Sequence, residues 1–166
     1  MKLLIDGDGS HQMKTAVMFA EEKNIPAHIY CDYNHQICLP YATVHTVEQS
    51  PNSADHAILA CCQPNDILLT NDIGLAAIAL AKGVYVLNNH GYVYSDANIA
   101  MLLNSRHMHK EARRKTKKRN IHKDRINSGE THASFMSSLY HVYHQACRKE
   151  NSSENNEKRE KEVIIK

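Results

Sequence analysis

The run DILLTNDIGLAAIALAKGVYVL, Asp66 to Leu87, constrains the fold more than any other stretch of this chain. It opens on DILLT, a near-continuous apolar segment of the kind found in a strand covered on both faces. Asn71-Asp72 ends that segment. Residues 73–82, IGLAAIALAK, read as an alanine-rich helix closed by Gly83. Val84–Leu87, VYVL, is the next strand. Two strands joined by a helix can lie side by side only in parallel, through a right-handed crossover.

The same alternation runs through most of the chain. KLLID at 2–6 reads as a short buried strand ending in Asp6. Residues 10–24 read as a helix with Ser10 as its N-cap and Asn24 at its left-handed end. Ala27–Cys31 and Ala42–Val47 are further strands. Ser50-Pro51-Asn52-Ser53 leads into the helix ADHAILACC. Asn88-Asn89-His90-Gly91 is a turn into Tyr92–Tyr94, and Asp96 is placed to cap a long helix from about residue 97. A last amphipathic helix is expected at 131–147. The predicted class is α/β: a three-layer α/β/α sandwich with a mainly parallel sheet. Residues 1–148 form one domain with a basic segment at 106–125, and 149–166 read as a charged, disordered tail.

Composition narrows the class of protein. With no Trp and two Phe, the core must be chiefly aliphatic. No stretch approaches the roughly 20 apolar residues that span a bilayer, and no signal-peptide pattern opens the chain. The expectation is a cytoplasmic protein with no membrane partner. Its five cysteines, an odd number without CxxC, predict reduced, buried thiols rather than a structural zinc site.

The acids are placed where chemistry is usually found. Asp6 ends the first strand and Asp8 follows in its loop. Asp72 follows DILLT, and Asp55 opens the helix after Pro51. In sheets of this type, sites form beyond the carboxyl ends of the strands, near the switch in strand order. Each aspartate could simply cap a helix. Converging carboxylates would instead repel, and a hard divalent cation, Mg²⁺ or Mn²⁺, would relieve the repulsion. Gly7 and Gly9 would let the backbone turn tightly between Asp6 and Asp8.

LLIDGDGS, then SADHAILACCQPNDILLTNDIGLAAIALAKGVYVLNNHGYVY, then NIAMLL, together resemble the YaiI/YqxD family of small bacterial proteins over residues 1–106. That family is grouped with PIN-like domains, many of them metal-dependent ribonucleases. The resemblance implies a PIN-like fold with Asp6, Asp55 and Asp72 as catalytic acids. Those three and Asp8 would be ligands for Mg²⁺ or Mn²⁺. Ser10, Thr70, Asn71 and His90 would line the pocket. The chain departs from the family pattern at Gly9-Ser10-His11, at Gly74 and at His90. A second resemblance is to haloacid dehalogenase-like phosphatases, whose D-x-D-G-[ST] opening matches Asp6 to Ser10. It would make Asp6 a nucleophile. The paired downstream acids of that family are absent after Asp72.

Charge is segregated. Residues 1–105 hold four Lys/Arg against ten Asp/Glu, whereas residues 106–125 hold ten against two. Arg106, Lys110, Arg113, Arg114, Lys115, Lys117, Lys118 and Arg119 form a candidate nucleic-acid-binding segment. Without aromatics it would position a phosphate backbone rather than read bases. The expected functions are therefore a metal-dependent phosphodiester hydrolase acting on RNA, a phosphatase using Asp6, or a non-catalytic RNA-binding protein.

Overall fold

The computed structural model describes residues 1–7, 10–32, 37–47, 50, 52–115 and 134–149, without the side chains of 32 and 109–115. Its elements are β1 (Leu3–Asp6), α1 (Met13–Glu22), β2 (Ala27–Asp32), β3 (Ala42–Val47), α2 (Ser53–Cys61), β4 (Ile67–Leu69), α3 (Ile73–Ala81), β5 (Tyr85–Leu87), β6 (Val93–Tyr94) and α4 (Asp96–Lys115). A further helix, α5, covers 134–149.

The six strands form one sheet in the order β3-β2-β1-β4-β5-β6. The first five are parallel, and β6 turns back antiparallel on β5. Chain direction across the sheet reverses between β1 and β4, which makes that gap the switch point. The α/β class and the mainly parallel sheet expected from the sequence are present.

Strand alternation sorts the core into two layers. Leu3, Ile5, Ile29, Ile67, Leu69 and Leu87 meet Ala16, Val17, Phe19 and Ala20 of α1 and Phe135, Leu139 and Val142 of α5. Leu4, Leu68 and Val86 point the other way, onto Ala54 and Ile58 of α2 and Leu75, Ala76 and Ala79 of α3. Ile99 and Leu102 of α4 pack on that second layer. Helices on both faces explain why DILLT is apolar throughout rather than alternating. Both phenylalanines are fully buried on the α1 side, while the slightly exposed Tyr30 and Tyr94 belong to the other layer.

Several local readings change. Ser10 does not cap α1: Gln12 holds that position, with no side-chain capping bond. The Ser10 hydroxyl donates instead to Asn89 Oδ1. Ser95, not Asp96, precedes α4. Its carbonyl accepts from the Asn98 and Ile99 amides, and Asp96 lies in the first turn. The last helix continues to residue 149, two past the expected 147, while 131–133 and 150–166 lie outside the described residues. Not every cysteine is buried: Cys38 is exposed and Cys61 and Cys147 are half-buried, although all five are free. Among the described residues no helix is long and apolar enough to cross a membrane.

Candidate functional site

Register and alternation build the site. Ile5 pairs with Leu69, so Asp6 and Thr70 follow side by side at the carboxyl ends of adjacent strands. Asp6 lies two residues beyond Leu4 and Thr70 two beyond Leu68, so both side chains leave the sheet on the α2–α3 face. The buried Thr70 hydroxyl donates to Asp6 Oδ2 at 2.7 Å and accepts from the Asp72 amide at 3.0 Å. One hydroxyl thus fixes the strand-end acid and the turn that carries the second acid.

Asp72 also caps α3. Its Oδ1 accepts from Gly74 N at 2.6 Å and Leu75 N at 3.3 Å, two amides that a helix start otherwise leaves unpaired. Arg106 of α4 reaches the same carboxylate, with Nη1 2.9 Å from Oδ1 and Nη2 3.5 Å from Oδ2. Burial pushes the Asp72 carboxyl up. The hydrogen bond and charge of Arg106, with the Gly74 and Leu75 amides, more than offset that and hold it below the usual carboxylate value. Burial likewise raises the Tyr94 phenol; the Asn88 side chain lowers it, and the negative charge of Asp72 adds to the rise.

Three loops close around these acids. Ser10 Oγ donates to Asn89 Oδ1 at 2.7 Å, and the Asn89 amide donates to Asn71 Oδ1 at 3.2 Å. Asn89 is buried, so the loops after β1, β4 and β5 are tied through one residue. His90 lies on the exposed side of this clasp, its ring 5.3 Å from that of His11. Gly7 has a task unlike the tight turn read from the sequence. It donates to Tyr30 O at 2.7 Å, and a Cβ there would stand 2.8 Å from that oxygen and 2.9 Å from Cys31 Cβ. Close approach to β2, rather than a positive φ, requires glycine at this position.

The described residues bring together Asp6, Thr70 and Asp72, and tie Ser10, Asn71 and Asn89 to one another. Asp55 lies half-buried in the first turn of α2, where its charge favours the helix dipole. Among the described residues no three of His, Cys, Asp and Glu are grouped closely enough to hold a metal ion. Asp8 and Gly9 lie outside the described residues, as do Lys117, Lys118 and Arg119; the side chains of Lys110, Arg113, Arg114 and Lys115 are likewise not described. The sequence shows Arg106 only as part of a cationic run. Its pairing with an acid 34 positions away left no sequence signal. The capping role of Asp72 was legible as a strand-end Asp ahead of a helical run.

Comparison with known proteins agrees with the resemblance. Residues 4–145 match the model of a family described as "Uncharacterized BCR, YaiI/YqxD family". A UPF0178 protein of Clostridium tetani is 38% identical over 117 residues, covering 69% of this chain and 78% of the relative. One of Clostridium acetobutylicum is 32% identical over 121 residues, covering 73% and 82%. One of Alkaliphilus oremlandii is 36% identical over 118 residues, covering 71% and 76%. No solved structure gives a significant match. With the family's model spanning both sheet layers and the acidic edge, this chain belongs to the YaiI/YqxD family.

Proposed function

We propose that this protein is a PIN-like, metal-dependent phosphodiester hydrolase acting on RNA. One observation carries the reading: Asp6 and Asp72 flank the switch point between β1 and β4 and are tied to each other through Thr70. Open α/β sheets bind ligands in that crevice.

The donor chemistry fits a hard cation. Asp6 and Asp72 offer oxygen only, the preference of Mg²⁺ and Mn²⁺, and a positive guanidinium already sits on Asp72. Asp6 and Asp72 would hold the ion, with Asp8 and water completing the set; Asp55, which is not grouped with these two acids, is left out of it. Such a cation, if bound, would polarise a phosphoryl oxygen and activate water. The protein's own groups do the rest. Thr70 fixes the Asp6 carboxylate, the α3 amides fix that of Asp72, and the clasp of Ser10, Asn89 and Asn71 holds the loops in place. Residues 106–125 would counter the acidic body and draw in the phosphate backbone.

The test is cleavage of single-stranded RNA in Mn²⁺ by wild type, Asp6→Asn and Asp72→Asn. Wild type is expected to cleave, and both variants to lose most of that activity. Equal cleavage by all three, or none by any, sinks the catalytic reading.

A further inference from the structure

Arg106 stands between the two charge systems of the molecule. It is the first cation of the basic segment, yet its guanidinium lies on an acid of the candidate site. We propose that Arg106 is a positioning residue that exchanges partners. Without a polyanion it neutralises Asp72. When a phosphate backbone lies along α4, it turns to a phosphate and releases the Asp72 carboxylate to the cation. This rests on the hydrolase reading and deepens it, because cation and RNA would then assist each other's binding through one side chain.

Three observations carry the exchange. First, the pair is open to solvent, with 54% of the Arg106 side chain and 39% of that of Asp72 exposed. An ion pair so exposed is weak, so a competing anion can displace it. Second, a guanidinium fork fits phosphate as well as it fits carboxylate, so either partner satisfies it. Third, Asp72 does not depend on Arg106 to keep its place. The Gly74 and Leu75 amides hold Oδ1 whether or not the guanidinium is there. Gly74 gives room to the carboxylate rather than the guanidinium: a Cβ there would stand a tight 3.0 Å from Asp72 Oδ1 but in ordinary contact, 3.6 Å, with Arg106 Nη1.

The coupling has a defined sign. A cation on Asp72 displaces the guanidinium, which then becomes available to phosphate. A phosphate on Arg106 uncovers Asp72, which then becomes available to the cation. Each ligand therefore raises the other's affinity by the same factor.

The exchange can be read without metal. The probe is a short labelled oligouridylate, with anisotropy recorded in EDTA for full-length wild type, Asp72→Asn, Arg106→Gln and the double variant. Asn remains a good N-cap, so Asp72→Asn keeps α3 and frees the guanidinium. Circular dichroism of each variant checks this. Asp72→Asn is expected to tighten metal-free binding about two- to fivefold, the range for releasing an exposed pair. In the Arg106→Gln background that gain is expected to vanish. An unchanged affinity in Asp72→Asn overturns the exchange. So does a gain that persists without Arg106, which would mark a general charge effect, and so does the absence of binding by every form. RNA cleavage without the gain removes this inference and leaves the hydrolase reading standing. The gain without cleavage keeps Arg106 as an exchanging phosphate ligand and removes the hydrolase reading.

Discussion

Thr70 Oγ1 stands 2.7 Å from Asp6 Oδ2, although 64 positions separate the two residues. The hydroxyl is buried and also accepts the Asp72 amide, so both of its roles are structural obligations. Thr70→Val keeps the shape and removes both bonds. Leaving a half-buried carboxylate and a turn amide without this partner should cost about 1–3 kcal/mol. Urea denaturation measures the loss. Thr70→Ser, which keeps the hydroxyl, should retain most of the stability. Equal losses in the two variants would assign the effect to packing alone.

Gly7 is the second test of how tightly the acidic edge is built. A Cβ would sit within 3 Å of Tyr30 O and Cys31 Cβ, both on β2. Gly7→Ala must therefore push β1 and β2 apart just past Asp6, where the Gly7 amide pairs with Tyr30 O. Overpacking of this kind costs about 1–3 kcal/mol. In a chain of this size that lowers the melting temperature by about 2–4 °C per kcal/mol. A variant that melts with the wild type would show that the strands yield at no cost.

These two cases mark what the sequence could and could not convey. Strand order and layer were legible because burial on both faces leaves an apolar run such as Ile67–Leu69, and because the intervening helix forces parallel pairing. The edge on which Asp6 and Asp72 stand followed from that topology. The ties around them did not. Ser10 reads as a helix cap by local preference, but its hydroxyl is bound to Asn89, 79 positions on, so a tertiary contact overrides the local one. Gly7 reads as a turn residue because the space it leaves for Tyr30 is set by register, which no local pattern encodes. Arg106 is hidden for a similar reason: in a cationic run every position looks alike until α4 packs beside α3.

Between β2 and β3, His28 Nδ1 and His45 Nε2 lie 3.0 Å apart and the rings stack. One ring must donate and the other accept, so the contact cannot survive double protonation. Burial lowers the His28 pKa, and the charges of His45 and Lys2 lower it further against an opposing effect from Asp66. The folded pKa thus lies below the ordinary 6.5. The unfolded chain binds the proton more readily, so this contribution is intact above about pH 6.5 and is lost as the pH falls through the folded value. Stability from urea melts should decline between about pH 7 and pH 5, and His28→Gln should flatten that slope. Parallel slopes in the two proteins would remove His28 from the account.

Asp72 has two roles that one pair of substitutions can separate. As the cap of α3 it needs only an acceptor; as a cation ligand it needs a charge. Without divalent ions, Asp72→Ala should lose about 0.5–2 kcal/mol through the unpaired Gly74 and Leu75 amides. Asp72→Asn keeps an acceptor and should lose far less. Adding Mn²⁺ separates wild type from both variants. Wild type should gain stability with the logarithm of Mn²⁺ concentration, reaching about 2.7 kcal/mol at a hundred times the dissociation constant. Both variants should gain much less, because neither presents the second carboxylate beside Asp6. Thermal melts across a Mn²⁺ series, with Mg²⁺ in parallel, decide the matter. An Asn variant stabilised as strongly as wild type would leave Asp72 as a cap and remove it from the ligand set.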